Sequence, residues 1–209
     1  MKKWLPLVLI AITVGFTLYV YDQLPARMVT HWGVNGPNGW ASRELAAWLG
    51  PGIAMFLWLV LSIVPRIDPR RANYAGFQGA YDMIVISAVA LACIVQFAVL
   101  GYALGWPVNI NRLVPLLVGG LFIALGFILP RAKSNFFVGI RTPWTLSSDD
   151  VWRRTHRLAG VLFPVAGLLI MTLAFTSDTA AVIRVVVVVG VVVLIPVIYS
   201  YVIWRGQQG

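Results

Sequence analysis

The chain has 209 residues, of which 60% are hydrophobic and 11% charged, with 16 Lys and Arg against 7 Asp and Glu and a formal net charge of +9. A water-soluble domain needs more charge than this to cover its surface. The basic residues stand between long apolar runs, where insertion and anionic lipid select them, so the excess charge points to membrane lipids and not to direct nucleic-acid binding. The single cysteine, Cys93, lies inside an apolar run and excludes a disulfide framework or a Cys-based metal site.

The first apolar run extends from Trp4 to Tyr21 behind Lys2 and Lys3. No small-residue cleavage site follows it, so it is read as a retained helix and not as a signal peptide. The connection from Leu24 to Trp40 carries Gly36-Pro37-Asn38-Gly39, a strong turn signal, because proline presets one dihedral and Gly and Asn tolerate positive φ. Around that turn stand His31, Trp32 and Trp40, three side chains able to offer an aromatic surface to a ligand at the membrane face.

The second run is Leu45 to Pro65, and the third, within the uncharged stretch Met83–Asn111, spans Met83 to Leu104. Asp82 at its start is read as a helix N-terminal acid. Pro107, Asn109 and Asn111 then make a turn. The fourth run, Leu113 to Pro130, holds Gly119, Gly120 and Gly126, and the fifth, Leu158 to Ser177, holds Gly160 and Gly167; these glycines are read as sites of close helix packing. The sixth run, Val185 to Trp204, is rich in valine, yet an isolated strand in lipid leaves its amides unpaired, so it too is a helix. Each run is near the ~20 residues that ~30 Å of hydrocarbon requires.

The connection from Arg131 to Arg157 is the most structured in composition. Pro143 interrupts any helix through it, and Ser147 with Asp150 has the spacing of an N-cap and a first-turn carboxylate, which starts a helix near Ser148. On that helix Asp149 faces Arg153 and Asp150 faces Arg154 in the favourable acid-first order. Arg141, Trp144 and Trp152 are expected to organise the loop against the bundle, since a guanidinium ties carbonyls together and stacks on indole. Ile63-Val64-Pro65-Arg66 before Asn73-Tyr74-Ala75-Gly76 faintly echoes Ile128-Leu129-Pro130-Arg131 before Asn135-Phe136-Phe137-Val138-Gly139, and Pro-Arg ending a helix at the interface accounts for it.

With six spans, twelve basic residues (Lys2, Lys3, Arg66, Arg70, Arg71, Arg131, Lys133, Arg141, Arg153, Arg154, Arg157 and Arg205) share one side and four (Arg27, Arg43, Arg112 and Arg184) the other. That bias places both termini in the cytoplasm, the first loop outside and the fourth-to-fifth loop inside. Trp4, Trp48, Trp106, Trp144 and Trp204 near run ends fit interface anchors. The expected fold is an all-α polytopic membrane protein, a bundle of about six transmembrane helices. It is read as one membrane domain over 1–209, with an N-terminal helix pair and external loop (1–65) and a four-helix part (66–209).

Asn135-Phe136-Phe137-Val138-Gly139-Ile140-Arg141-Thr142-Pro143-Trp144-Thr145-Leu146, followed by Val151-Trp152 and Thr155-His156-Arg157-Leu158-Ala159-Gly160, closely resembles the signature of the SdpI family of bacterial membrane immunity proteins. Leu24-Pro25 through His31-Trp32 to Gly36-Pro37-Asn38-Gly39-Trp40 resembles the uncharacterised domain that commonly precedes it. The resemblance covers nearly the whole chain, with the motif at 135–160, and departs from the family pattern at Gly33, Asn38 and His156. It implies a protein of the bacterial cytoplasmic membrane that protects the cell from a secreted membrane-active peptide toxin, and that also senses the toxin and holds a cytoplasmic transcriptional repressor. The motif residues it singles out are Asn135, Phe137, Gly139, Arg141, Thr142, Pro143, Trp144, Trp152 and Arg157, and the external ligand-binding residues are His31, Trp32 and Trp40.

Catalysis finds little support. His31 and His156 fall on opposite sides and share no metal, adjacent Asp149 and Asp150 diverge on a helix, and no acid lies mid-span where an ion-coupled transporter places one. No cofactor and no metal are expected. A small transporter or flippase for peptide or lipid is the alternative and requires a polar cavity between helices; an enzyme requires ionisable residues clustered on one side.

Overall fold

In hydrocarbon a segment must satisfy its own amides, so the apolar runs fold as helices. The computed structural model describes residues 4–33, 36–176 and 180–208. Lys2 and Lys3, the Val34–Asn35 part of the first connection and the end of the fifth run at Ser177 lie outside the described residues. Among the described residues six helices are long and apolar enough to cross a membrane: α1 (Leu5–Val20), α2 (Arg43–Ile67), α3 (Gln78–Ala103), α4 (Ile110–Ile128), α6 (Asp149–Thr172) and α7 (Ala181–Arg205), with a short α5 (Pro143–Ser147) before α6. Large apolar side chains lie exposed along them, among them Leu18, Phe56, Phe127, Val161 and Val186, as expected of a molecule whose solvent is lipid. The all-α polytopic membrane fold is thus as the sequence predicts, and the valine-rich sixth run is helical.

The chain divides into two compact units. The first comprises residues 1–62 and 85–113, and the second residues 63–84 and 114–209. In the first unit the connection after α1 is a β-hairpin, β1 (Arg27–Gly33) antiparallel to β2 (Gly36–Ser42). Arg27 pairs with Ser42 and Val29 with Trp40; the register then shifts, so that His31 faces Gly39 and Trp32 faces Pro37. Gly36, the first residue of β2, has φ +107°, a conformation glycine adopts without steric cost. The turn expected at Gly36-Pro37-Asn38-Gly39 is corrected: these residues lie in β2 and pair with β1, with Gly33 opposite Gly36, and the strands were not legible because Gly-Pro-Asn-Gly is poor strand material and apolar alternation is absent. The hairpin root joins a core of Val20, Leu24, Met28, Ala46, Ala47, Val99 and Leu100.

The second unit is built on close contact between α4 and α6. A Cβ on Gly119 would lie 2.5 Å from the Gly167 carbonyl, and one on Gly167 equally close to the Gly119 carbonyl; at Gly126 it would strike Pro164, and at Gly160, Pro130. These four glycines therefore pack as predicted, whereas a Cβ on Gly120 meets nothing within 4 Å. Phe122, Leu129, Ala159, Phe163, Ala166 and Val192 fill the core beside this seam.

Candidate functional site

In the first unit the hairpin borders a cavity of about 400 Å³, lined on the other side by Tyr102 at the end of α3, by Pro107 and Asn109 of the connection that follows, and by Asn111 in the first turn of α4. Gly105 turns the chain at φ +78°, and the Trp106 amide donates back to the Gly101 carbonyl at 2.9 Å, folding this connection onto α3. Asn109 accepts the Arg112 amide at 3.2 Å and so caps α4. Trp32 closes the cavity on the hairpin side and meets Tyr102 edge to face, ring centroids 5.4 Å apart. Its indole nitrogen is buried without a hydrogen-bond partner among the described residues.

The three predicted loop residues do not converge. Trp32 is half-buried against the core, whereas His31 is exposed and bonded through Nδ1 to Asn38 Oδ1, and Trp40 is 51% exposed on β2. Tyr102, Pro107 and Asn109 were missed as site residues in the sequence, where Pro107, Asn109 and Asn111 read only as a turn; Asn111 instead lies in the first turn of α4.

In the second unit the connections after α2 and α4 form a hydrogen-bonded cap. Asp68, 2% exposed, accepts the Arg70 amide (2.7 Å), the Tyr74 hydroxyl (2.9 Å) and the Phe136 amide (3.0 Å). A buried carboxylate is tolerable only with such a set of donors. Arg70 donates to Ser134 Oγ and to the Leu146 carbonyl (2.7 Å), lies over the Phe136 ring at 5.2 Å and stands 3.9 Å from Asp149. Asn73 donates to the Ser134 carbonyl at 2.7 Å. The two faintly similar segments of the sequence therefore touch each other.

Asn135 is fully buried and shapes the loop. Its Oδ1 accepts the Phe137 and Val138 amides (2.9 and 2.6 Å), and its Nδ2 donates to the Lys133 and Val138 carbonyls (2.8 and 2.9 Å). Gly139 has φ +117°, and a Cβ there would collide with His156 Nε2, so both conformation and space require glycine. Thr142 and Thr145 form a capping box on α5 with Pro143 at its first turn, and the Thr142 hydroxyl lies 3.2 Å from Ser200 of α7. Trp144 meets Tyr201 edge to face at 5.1 Å. Trp152 donates its indole proton to the Ala132 carbonyl (2.8 Å) and stacks on His156 at 4.1 Å.

His156 accepts the Ile140 amide at Nε2 (3.0 Å) and meets the Trp152 carbonyl at Nδ1 (2.8 Å). An amide only donates and a carbonyl only accepts, so the ring is neutral with its proton on Nδ1. Arg141 is exposed and bonds the Phe136 carbonyl at 2.5 Å, Phe137 is 39% exposed, and Arg157 points outward.

Two local expectations are corrected. Ser148, not Ser147, caps α6, accepting the Val151 amide, because Ser147 closes α5 and bonds the Trp144 carbonyl. Asp149 pairs with Arg70, leaving Asp150 to pair with both Arg153 and Arg154. Asp68 and Arg70 were missed as site residues. The signal for Asp68 was an acid placed directly after a transmembrane run, beside a cluster of arginines.

Chemically, the cap is a set of mutually satisfied donors and acceptors. Among the described residues no three His, Cys, Asp or Glu side chains gather as a metal site.

Six membrane-length helices, one connection folded as a hairpin and two others tied into a cap define a multi-pass membrane protein. Residues 131–200 match the SdpI/YfhL protein family, and residues 8–55 match a domain of unknown function, DUF1648. Both matches fall on the parts of the chain whose sequence carries the two resemblances. Over its whole length it is similar to the immunity protein SdpI of Bacillus subtilis (strain 168), 24% identical over 208 residues, covering 100% of this chain and 98% of that protein. No solved structure matches the chain.

Proposed function

We propose that this chain is a membrane immunity protein of the bacterial cytoplasmic membrane, protecting the cell from a secreted membrane-active peptide. The observation that carries this reading is the full-length similarity to an immunity protein, which includes the hairpin region as well as the SdpI-type domain. In this reading both termini face the cytoplasm, which the distribution of basic residues supports, and the hairpin and its cavity face outward, where the peptide arrives. His31, Trp32 and Trp40 then belong to the recognition surface. The cavity is bordered by aromatic rings and asparagines, a mixture suited to an amphipathic peptide segment.

The finer role, toxin sensing with retention of a transcriptional repressor, falls to the cytoplasmic cap. There Phe136, Phe137 and Arg141 leave apolar and basic surface exposed beside Arg153, Arg154 and Arg157.

The test is expression in cells sensitive to a membrane-active peptide, with survival normalised to the amount of protein in the membrane. Protection against at least one such peptide is expected. Unaltered sensitivity to a panel that includes the peptide countered by the Bacillus relative, at confirmed membrane abundance, would overturn the assignment. Impermeant thiol reagent should label Asn38→Cys in intact cells, in a Cys93→Ser background, while a C-terminal reporter behaves as cytoplasmic. The reverse pattern would invert the topology.

A further inference from the structure

Pro51 lies inside α2 and has no amide proton, so the carbonyl four residues earlier, Ala47, loses its helical donor. Ala47 is fully buried, so that carbonyl has no water to turn to. Gln96 of α3, 2% exposed, supplies the missing donor: its Nε2 lies 2.9 Å from the Ala47 carbonyl and 3.2 Å from that of Ala46, and its Oε1 accepts the Gly50 amide at 3.2 Å. One side-chain amide thereby closes the turn that proline opens. The helices are in close contact around it. Ala46 and Ala47 are buried, and a Cβ on Gly50 would come within 2.5 Å of the Gln96 Cβ.

This seam joins the two walls of the hairpin cavity. On one side α2 follows directly from β2, with Arg43 donating its amide to the Ala26 carbonyl at the hairpin root (2.9 Å). On the other, α3 runs on from Gln96 through Val99 and Leu100, which pack in the hairpin core, to Tyr102, the ring that meets Trp32. We infer that Gln96 is the positioning residue of this cavity: by repairing the Pro51 turn it fixes the spacing between the hairpin and Tyr102. The inference rests on the proposed recognition role of the hairpin only for its effect on protection, and not for its effect on geometry.

The two effects separate experimentally. Spin labels at Asn38→Cys and Asn111→Cys, in a Cys93→Ser background in lipid nanodiscs, report the distance between the walls. Gln96→Leu keeps the side-chain volume but removes both donor and acceptor. It is expected to lengthen and broaden that distance and to lower the tolerated dose of the peptide toxin about tenfold at equal abundance. Pro51→Ala restores an amide to Ala47 and is expected to return Gln96→Leu to the wild-type distance and protection, a rescue that a general packing defect at position 96 does not allow.

Should Gln96→Leu alone fail to accumulate, the Pro51→Ala, Gln96→Leu double variant is expected to accumulate with the wild-type distance. Failure of the double variant as well would overturn the inference. So would a wild-type distance in the single variant, whatever its survival. A lengthened distance rescued by Pro51→Ala with protection unchanged would uphold Gln96 as the positioning residue and overturn the hairpin as the recognition surface.

Discussion

The Phe136 amide lies 3.0 Å from the Asp68 carboxylate, a hydrogen bond spanning 68 positions of sequence that fixes the start of the SdpI-type loop to the end of α2. Asp68 also receives the Tyr74 hydroxyl, and Tyr74 lies 3.5 Å from Asn135. Neither family match reaches Asp68, since one ends at residue 55 and the other begins at 131. The motif therefore depends on a segment outside itself.

Asp68→Ala leaves a hydroxyl and two amides without their acceptor in a buried place. Each such group costs ~1–3 kcal/mol, so a loss of several kcal/mol is expected, visible as a lower midpoint of thermal unfolding in detergent. Asp68→Asn keeps an acceptor oxygen and should lie between. Equal midpoints for Asp68→Ala and the wild type would remove Asp68 from the cap.

Arg70 and Arg141 differ in what a lysine can replace. Arg70 reaches Ser134, the Leu146 carbonyl and Asp149 while lying flat over Phe136, a combination that needs the planar guanidinium. Arg141 makes one bond, to the Phe136 carbonyl, from an exposed position. Arg70→Lys should speed amide hydrogen exchange over residues 134–146 by at least about tenfold, a local loss of ~1.4 kcal/mol or more, and Arg141→Lys by less. The opposite ranking would return the organising role to Arg141, where the sequence suggested it.

The α4–α6 seam gives a paired test. Gly167→Ala puts a methyl group against the Gly119 carbonyl and the Ile123 backbone, so the helices must separate, at an overpacking cost of ~1–3 kcal/mol. Gly120→Ala meets nothing within 4 Å and should be neutral or slightly stabilising. Thermal unfolding of the two variants side by side checks the pair; equal behaviour contradicts the packing.

The long helices were legible because hydrocarbon imposes one simple rule on length and apolarity, and Gly119 and Gly167 because small residues in such helices have few other uses. The cap was half legible. Asn135 and Thr142 shape the loop chiefly through bonds within a few residues of themselves, and Gly139 through its own positive φ, which spacing and residue type reveal, whereas Asp68 and Arg70 reach partners more than sixty residues away, which no local pattern announces. The hairpin illustrates a third case. Its residues Gly36-Pro37-Asn38-Gly39 carry a local turn signal, yet they lie in β2, because Met28 and Trp32 of the paired strand find a core supplied by α1, α2 and α3.

The recognition surface makes the last test, because the structure separates its three candidates. Trp32 packs against Tyr102 and the hairpin core, so Trp32→Ala removes a structural contact of ~2 kcal/mol and should lower abundance and protection together. Trp40 and His31 are exposed, so their alanine variants should insert and accumulate normally. An interface indole that a peptide covers contributes ~2 kcal/mol or more of binding. Trp40→Ala should therefore reduce the tolerated toxin dose by about thirtyfold at wild-type abundance. His31→Ala also removes the bond to Asn38 of β2 and should have a smaller effect of the same kind. The measurement is survival across a toxin dilution series, normalised to membrane-embedded protein for each variant. Full protection by both Trp40→Ala and His31→Ala would take the exposed face of the hairpin out of recognition and leave the cavity behind Trp32 as the place where a peptide is held.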